Sequence, residues 1–492
     1  MKKINKTLLG LTLGLLVVTS CSDIDSLNQN EKAFEKPIAE ALMSSAQKSY
    51  ANQLTIMDVN SNIFRYLSQH WTNIYAIGNR ETKYNFSRDI GGSLFGDTYV
   101  TVLQDLNNSR KLIEASTALT TTEIAEKQNK IAIIDIQIAN TYLFLVDCFG
   151  DVPYTEALQE NNYNPKYDDA KSIYLAMGAK LTNAINKLDV TNNSFAKEDL
   201  IYNGNVAKWK QFANSIRLKA GLHLHDVAPM EAKALIEASA SGAIASNANN
   251  AELKYFDNGE KSKNPNYLLN SGSQEFVPTK LFVDELNAKT DPRADKYLDP
   301  TSKIGANYAG AVYAADGDYT DYSHFTTTFN NPTYAAVIFD YAETCFLLAD
   351  AKDKGYAITG TTEDWYNKGI TASMESWGVA TADITTYLAK PSVAFTSAIG
   401  INGEAVNATQ KIAYQLWLSY GNRGFEAWTE YRRLDYPKLQ APANAEQEAG
   451  NKVPVRLFYS RSDISTNNAN YQAAANKIGG DKLTTKIFWD KF

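Results

Sequence analysis

Cysteine and histidine are scarce in this 492-residue chain, at three and four residues. So few thiols count against a disulfide-stapled fold. Cys148 and Cys345 each fall inside an apolar helical run, which favours buried free thiols over a disulfide or a metal site. His223 and His225 stand two apart on an expected helix, so they point to different faces and are badly placed to share a metal. His70 and His324 are isolated. There is no P-loop, no dinucleotide glycine fingerprint, no HExxH, no CxxC pair and no GxSxG elbow. Carboxylate pairs could be chosen almost anywhere among 55 acids, so choosing one identifies no glycosidase. Asp316, Asp318 and Asp321 could gather oxygens around calcium, but Gly317 does not fit the EF-hand order, and solvated loop carboxylates are the favoured reading. No cofactor is expected. Positive charge is also in short supply: the formal net charge is −7. That disfavours electrostatic binding of nucleic acid or anionic lipid. Long apolar runs are missing too. Leu8–Val18 is too short to span a bilayer comfortably, and nothing later reads as long and apolar enough.

The N-terminus carries an ordered export signal. Lys2, Lys3 and Lys6 precede the apolar run, and Val18-Thr19-Ser20-Cys21 closes it with small residues before a cysteine. The order resembles a bacterial lipobox, in which Cys21 is lipidated and becomes the first mature residue. Residues 1–20 are then a removed leader that takes three lysines and no acid with it. Residues 21–35 form an acidic tether that resembles the surface-export signal of Bacteroidetes lipoproteins. The lipid is expected to be the membrane attachment.

From 36 to 492 the pattern predicts one mainly helical domain. Helices are expected over 37–53, 59–77, 97–119, 121–149, 168–188, 335–354 and 362–377, with Asn203-Gly204-Asn205 capping the one that carries Trp209 and Phe212. Run 121–149 is apolar nearly all round, as a central helix should be. Ile412, Leu416, Trp417 and Tyr420 make one helical face; Gly421-Asn422-Arg423-Gly424 breaks it; Phe425, Trp428 and Tyr431 begin another face. Loop-rich insertions are expected near 242–274, 303–333 and 391–407, and the tail from Val453 to Phe492 shows little clear period. Successive hairpins of this length look like tetratricopeptide-type stacking without a fixed repeat.

Several stretches, in order, resemble the SusD/RagB-type outer-membrane lipoproteins. They are Gly150-Asp151-Val152-Pro153-Tyr154 with Glu156-Ala157-Leu158, Trp209 to Leu218, Asp291-Pro292-Arg293, Glu343 to Ala351, the hairpin ending Ala427-Trp428 to Arg432-Arg433 and Tyr436-Pro437, and the closing segments to Trp489-Asp490-Lys491. Ser460 and Asp463 depart from the family's usual proline and glutamate. The resemblance implies a SusD-like helical fold, a nutrient-binding role without catalysis, and a SusC-like TonB-dependent outer-membrane transporter as partner, which the domain covers as a lid. A secreted glycan-degrading enzyme and a peptide-binding lid are the rival readings.

Tyrosine is abundant, at 29 residues, and its ring offers an apolar face with a polar tip. Two groups are candidate ligand contacts. Gln69, Trp71, Tyr75, Asn79, Arg80 and Tyr84 form an aromatic-plus-amide group at a helix end and the loop after it; sugar rings stack on aromatics and their hydroxyls need such polar partners. Trp71 and Tyr75, one helical turn apart, read equally well as core. Tyr308, Tyr313, Tyr319 and Tyr322 lie on an expected loop, where exposed rings are more readily explained.

Overall fold

Apolar residues at helical spacing build most of the molecule. The computed structural model describes residues 38–75, 80–87, 89–269, 274–400, 403–446 and 449–492. Lipidation at Cys21 and the candidate contact Asn79 fall outside them. Helix accounts for 53% of the chain and strand for 6%.

In α1 (Ala39–Thr55), Met43, Ala46, Tyr50 and Leu54 make one buried stripe. A short α2 (Phe64–Leu67) follows, then β1 (Trp71–Asn73). A continuous helical run from Gly92 contains a π-helical turn, Thr98–Leu103, before α3 (Gln104–Ala115). The central α4 (Thr121–Phe149) starts at a capping box. Glu123 N–H donates to the Thr120 hydroxyl at 3.2 Å, and the Glu123 carboxylate accepts from Thr120 N–H at 2.9 Å. From Ala132 onward all of α4 except Asn140 is buried. Gly150, at φ 82°, ends it.

After the two-residue strands β2 (Val152–Pro153) and β3 (Tyr167–Asp168) come α5 (Ala170–Lys187), α6 (Val206–His223) and α7 (Pro229–Ser239). The Asn205 side chain caps α6 by accepting from Lys208 N–H at 3.0 Å. Next are β4 (Ala251–Leu253), β5 (Phe276–Pro278), α8 (Lys280–Ala288), β6 (Ala336–Phe339), α9 (Tyr341–Asp353), α10 (Thr362–Ser376), α11 (Ala408–Tyr420) and α12 (Gly424–Leu434). Neighbouring helices in sequence pack on each other (α4 on α5, α5 on α6, α6 on α7, α9 on α10, α11 on α12), which is tetratricopeptide-like hairpin stacking. The strands make three antiparallel pairs, β1–β5, β2–β3 and β4–β6.

The α11–α12 hairpin is almost wholly buried. Trp417 and Trp428 are fully buried, and a Cβ added at Gly424 would lie 2.4 Å from the backbone nitrogen of Arg65, so only glycine allows α2 to approach. The two arginines near the end of α12 do different work. Arg432 donates to the Asp147 and Val455 carbonyls at 2.9 and 2.7 Å, with its guanidinium 3.4 Å from the Trp428 ring centre. Arg433 pairs with Glu430 and Asp350, each at 2.6 Å. Where the family pattern is broken, the Ser460 hydroxyl accepts from Ser462 N–H to start a short helix, and Asp463 accepts from the Tyr167 hydroxyl.

Four expectations need correction. The helix expected over 59–77 is limited to Phe64–Leu67. Gln69 takes positive φ, which ends it, and the next residues pair as a strand instead. The helix expected over 335–354 begins only at Tyr341, because β-branched and aromatic residues at 336–339 pair with β4. That same β4 lies inside what reads as loop. Finally, α4 is long and apolar enough, by length and composition, to cross a membrane, but 83% of its apolar window is buried inside the protein.

Candidate functional site at the β1–β5 ladder

The two tyrosine-rich groups, more than 200 residues apart in sequence, meet at one place. β1 pairs with β5 in the register Trp71–Pro278, Thr72–Val277, Asn73–Phe276. The 303–333 loop then runs along this ladder. Ala314 N–H donates to the Thr72 hydroxyl at 3.0 Å, Gly317 N–H to the Ile74 carbonyl at 3.1 Å, and Ala311 bridges Thr279. Ile74, Val277 and Ala311 form a small apolar cluster against which Tyr319 and Tyr322 pack.

Within this arrangement the candidate residues divide by exposure. Tyr75 is 50% exposed, its N–H donating to the Asn73 side chain at 2.8 Å, and Arg80 is exposed. Tyr319 is half-buried and stacks flat on His324, with centroids 3.8 Å apart and planes 7° apart. The His324 imidazole Nε2–H donates to the Tyr319 carbonyl at 3.1 Å. Tyr322, also half-buried, lies over Gly317. These four are the candidates that keep exposed or half-exposed surface, and Asp316, Asp318 and Asp321 on the same loop are exposed too.

The others are internal. Trp71 is 2% exposed, stacked on Phe325 at 4.0 Å, with the Arg65 guanidinium 5.4 Å from its ring centre. Protein atoms cover its faces, so its placement as a stacking platform is corrected: it is a core ring. Tyr84 is fully buried, and burial pushes its phenol up to about 12. Gln69 is buried as well, its amide donating to the Tyr84 hydroxyl at 3.2 Å and the Gln440 carbonyl at 2.6 Å. Tyr313 donates to the Tyr66 carbonyl at 2.9 Å, and its ring centre is 6.1 Å from that of Tyr84. Tyr308 is 5% exposed and donates to Asp295 at 2.6 Å. Gln69, Tyr84 and Tyr313 therefore link the ladder to the loop from beneath, and Tyr308 anchors the loop farther along. Tyr308 and Tyr313 turn inward because the loop folds on itself and their hydroxyls find a carboxylate and a backbone carbonyl.

The isolated histidines have structural partners. His70 is buried, stacked on Trp417 at 4.6 Å, with Nε2 3.0 Å from the Trp417 carbonyl and Nδ1 2.8 Å from the Ser68 hydroxyl. His223 meets Glu430 and Tyr174, while His225 meets Tyr356, so the two do not converge. Cys148 and Cys345 are buried free thiols.

Two recesses flanking β4 escaped the sequence reading. One, of about 220 Å³, includes Arg65, Glu252, Asp340, Trp377 and Arg423; the other, of about 550 Å³, includes Lys197, Tyr202, Lys208, Lys254 and Phe256. The available signal was the alternation from Ala251 to Phe256, hidden in a stretch that reads as loop.

Comparison with solved structures places the fold among known ones. A SusD homologue from Bacteroides uniformis superposes with a TM-score of 0.77 at 24% identity, over 92% of this chain and 99% of that one. A chitin-binding SusD homologue from Flavobacterium johnsoniae gives 0.77 at 21%, over 92% and 98%. A SusD homologue from Bacteroides fragilis gives 0.75 at 23%, over 93% and 100%. No curated protein matches. A family model described as "Starch-binding associating with outer membrane" matches residues 30–460, and the chain therefore belongs to the SusD-like family.

Proposed function

We propose that the chain is a cell-surface lipoprotein, anchored through Cys21, that binds oligosaccharide on the β1–β5 face and delivers it to a SusC-like TonB-dependent transporter, which it covers as a lid. The observation that carries this reading is the family match over residues 30–460, with its starch-binding and outer-membrane description. The chitin-binding protein among the structural neighbours supports a glycan as the ligand class. The site chemistry agrees. Tyr75 and the Tyr319–His324 stack offer ring faces to sugar C–H groups, while Arg80 and the loop carboxylates offer hydroxyl partners.

Capture need not be tight. Each stacked ring adds about 0.5–1.5 kcal/mol, and holding the ligand beside the barrel raises its effective concentration. Gln69, Tyr84 and Tyr313 act from below by fixing the ladder against the loop, and Trp71 acts by packing on Phe325 of that loop. The reading assigns no catalytic residue: it requires binding without turnover.

The test is incubation of the mature protein with a glycan panel, measuring binding calorimetrically and products by chromatography. Binding with unchanged glycan supports the proposal. Released products favour the enzyme reading. Binding of peptides but no glycan favours the peptide lid.

A further inference from the structure

Exposure alternates along β4 and the residues after it. Ala251, Leu253 and Tyr255 are buried, Glu252 is half-buried, and Lys254 and Phe256 are exposed. Pairing with β6 fixes the start of that alternation, so Glu252, Lys254 and Phe256 share the outward face. Facing them are Lys197, Tyr202 and Asn203 from the turn before α6, and Lys208 from its first turn. Together they enclose the 550 Å³ recess, a volume within the roughly 300–1,000 Å³ range of small-ligand pockets.

The charge of this recess is unlike that of the chain. Three lysines line it against one carboxylate, in a protein of net charge −7. Lys208 donates to the Ala248 carbonyl at 2.6 Å and stands 5.9 Å from the Tyr202 ring centre. Among the described residues no ion pair joins Lys197, Lys208 or Lys254 to a carboxylate. Lys219, Lys263 and Lys477, by contrast, each have one at about 3 Å. Burial raises the Glu252 carboxyl above its usual range, while Asn250, which donates to it at 3.3 Å, and the Lys254 charge act the other way. The Phe256 ring is 57% exposed at the edge of this cleft, an apolar face in the same lining as the three lysines.

We propose that this recess is a second saccharide site, selective for sugar units bearing a carboxylate or a sulfate ester. The acid group pairs with Lys197 and Lys254, the ring face rests on Phe256, and hydroxyls meet Asn203 and Asn250. This goes beyond the function proposed above and does not depend on the β1–β5 face.

The experiment titrates the mature chain with oligogalacturonides, sulfated dextran oligomers and, as the neutral control, maltoheptaose. Either acidic oligomer should bind more tightly than the neutral one at low salt, and raising salt from about 0.01 M to 1 M should weaken it, as the screening length falls from about 30 to 3 Å. Lys197→Ala and Lys254→Ala should each cost roughly fivefold in affinity, the effect of a unit charge pair about 4 Å apart in water. Phe256→Ala should weaken binding as well. All three side chains are exposed, so the melting temperature should hold. Preference for oligogalacturonide alone or sulfated dextran alone identifies the acid group. Acidic oligomers that fail to bind, or that bind the Lys197→Ala/Lys254→Ala double variant as well as wild type, overturn the proposal. Tyr75→Ala should leave acidic binding intact, so failure of the β1–β5 site is read separately.

Discussion

Gly317 N–H donates to the Ile74 carbonyl at 3.1 Å, and this bond, with that from Ala314 to Thr72, holds the tyrosine loop beside the residue that precedes Tyr75. A Cβ at Gly317 would lie 2.4 Å from the Tyr322 hydroxyl. Gly317→Ala should therefore displace Tyr322 and weaken glycan binding more than it lowers the melting temperature. Calorimetric titration beside thermal melts checks this; unchanged affinity would remove Tyr322 from the site.

Trp71 and Tyr75 should separate cleanly by substitution. Trp71→Ala opens a cavity against Phe325 and should cost about 3–5 kcal/mol of stability, with binding per folded molecule retained. Tyr75→Ala, at a half-exposed ring, should leave chemical denaturation almost unchanged and lower glycan affinity. The opposite pattern would return Trp71 to the ligand.

His70 makes stability depend on acid. Burial lowers its pKa from the usual 6.5 to about 3, the hydrogen bond to the Trp417 carbonyl acting the other way and the Arg65 charge adding to burial. The unfolded chain therefore takes up a proton that the folded chain refuses. The stabilisation is fully present above about pH 6.5 and is lost as pH falls toward 3. Melting temperatures should drop through this window, and His70→Gln should be less stable at pH 7 but show a flatter acid limb. Parallel limbs would contradict the assignment.

Arg433 is held by two buried carboxylates, Glu430 and Asp350, and burial of Glu430 is outweighed by the Arg433 charge, which keeps its carboxyl well below the usual range. Arg433→Ala removes the cation these buried acids share, leaving Asp350 with Lys354 at 3.3 Å and Glu430 with Lys219 at 3.9 Å, and should cost about 3 kcal/mol. Arg433→Lys should recover only part, since an ammonium cannot reproduce the planar fork. Urea denaturation of the three proteins measures this.

The helical hairpins were legible because core positions recur at helical spacing and their ends carry glycine and asparagine, as at Gly150 and Asn205. The β1–β5 ladder was not. Trp71–Asn73 continues an apolar stripe that suits a helix, and its strand partner, Phe276–Pro278, lies more than 200 residues away. Exposure was equally hidden. Tyr75 and Trp71 carry the same local signal, and only the packing of Phe325 from a distant loop tells them apart. The recess beside β4 depends on a strand made by long-range pairing, so its lysines, spread from Lys197 to Lys254, showed no cluster in the sequence.

The most direct measurement is isothermal titration of the mature chain and the Tyr75→Ala/Tyr319→Ala double variant with neutral oligosaccharides, followed by chromatography of the recovered ligand. The account predicts saturable binding by the wild type, a loss of about tenfold or more per folded molecule in the double variant, from two stacked rings at about 0.5–1.5 kcal/mol each, and ligand recovered intact. Equal binding by both proteins, or shortened ligand, would contradict it.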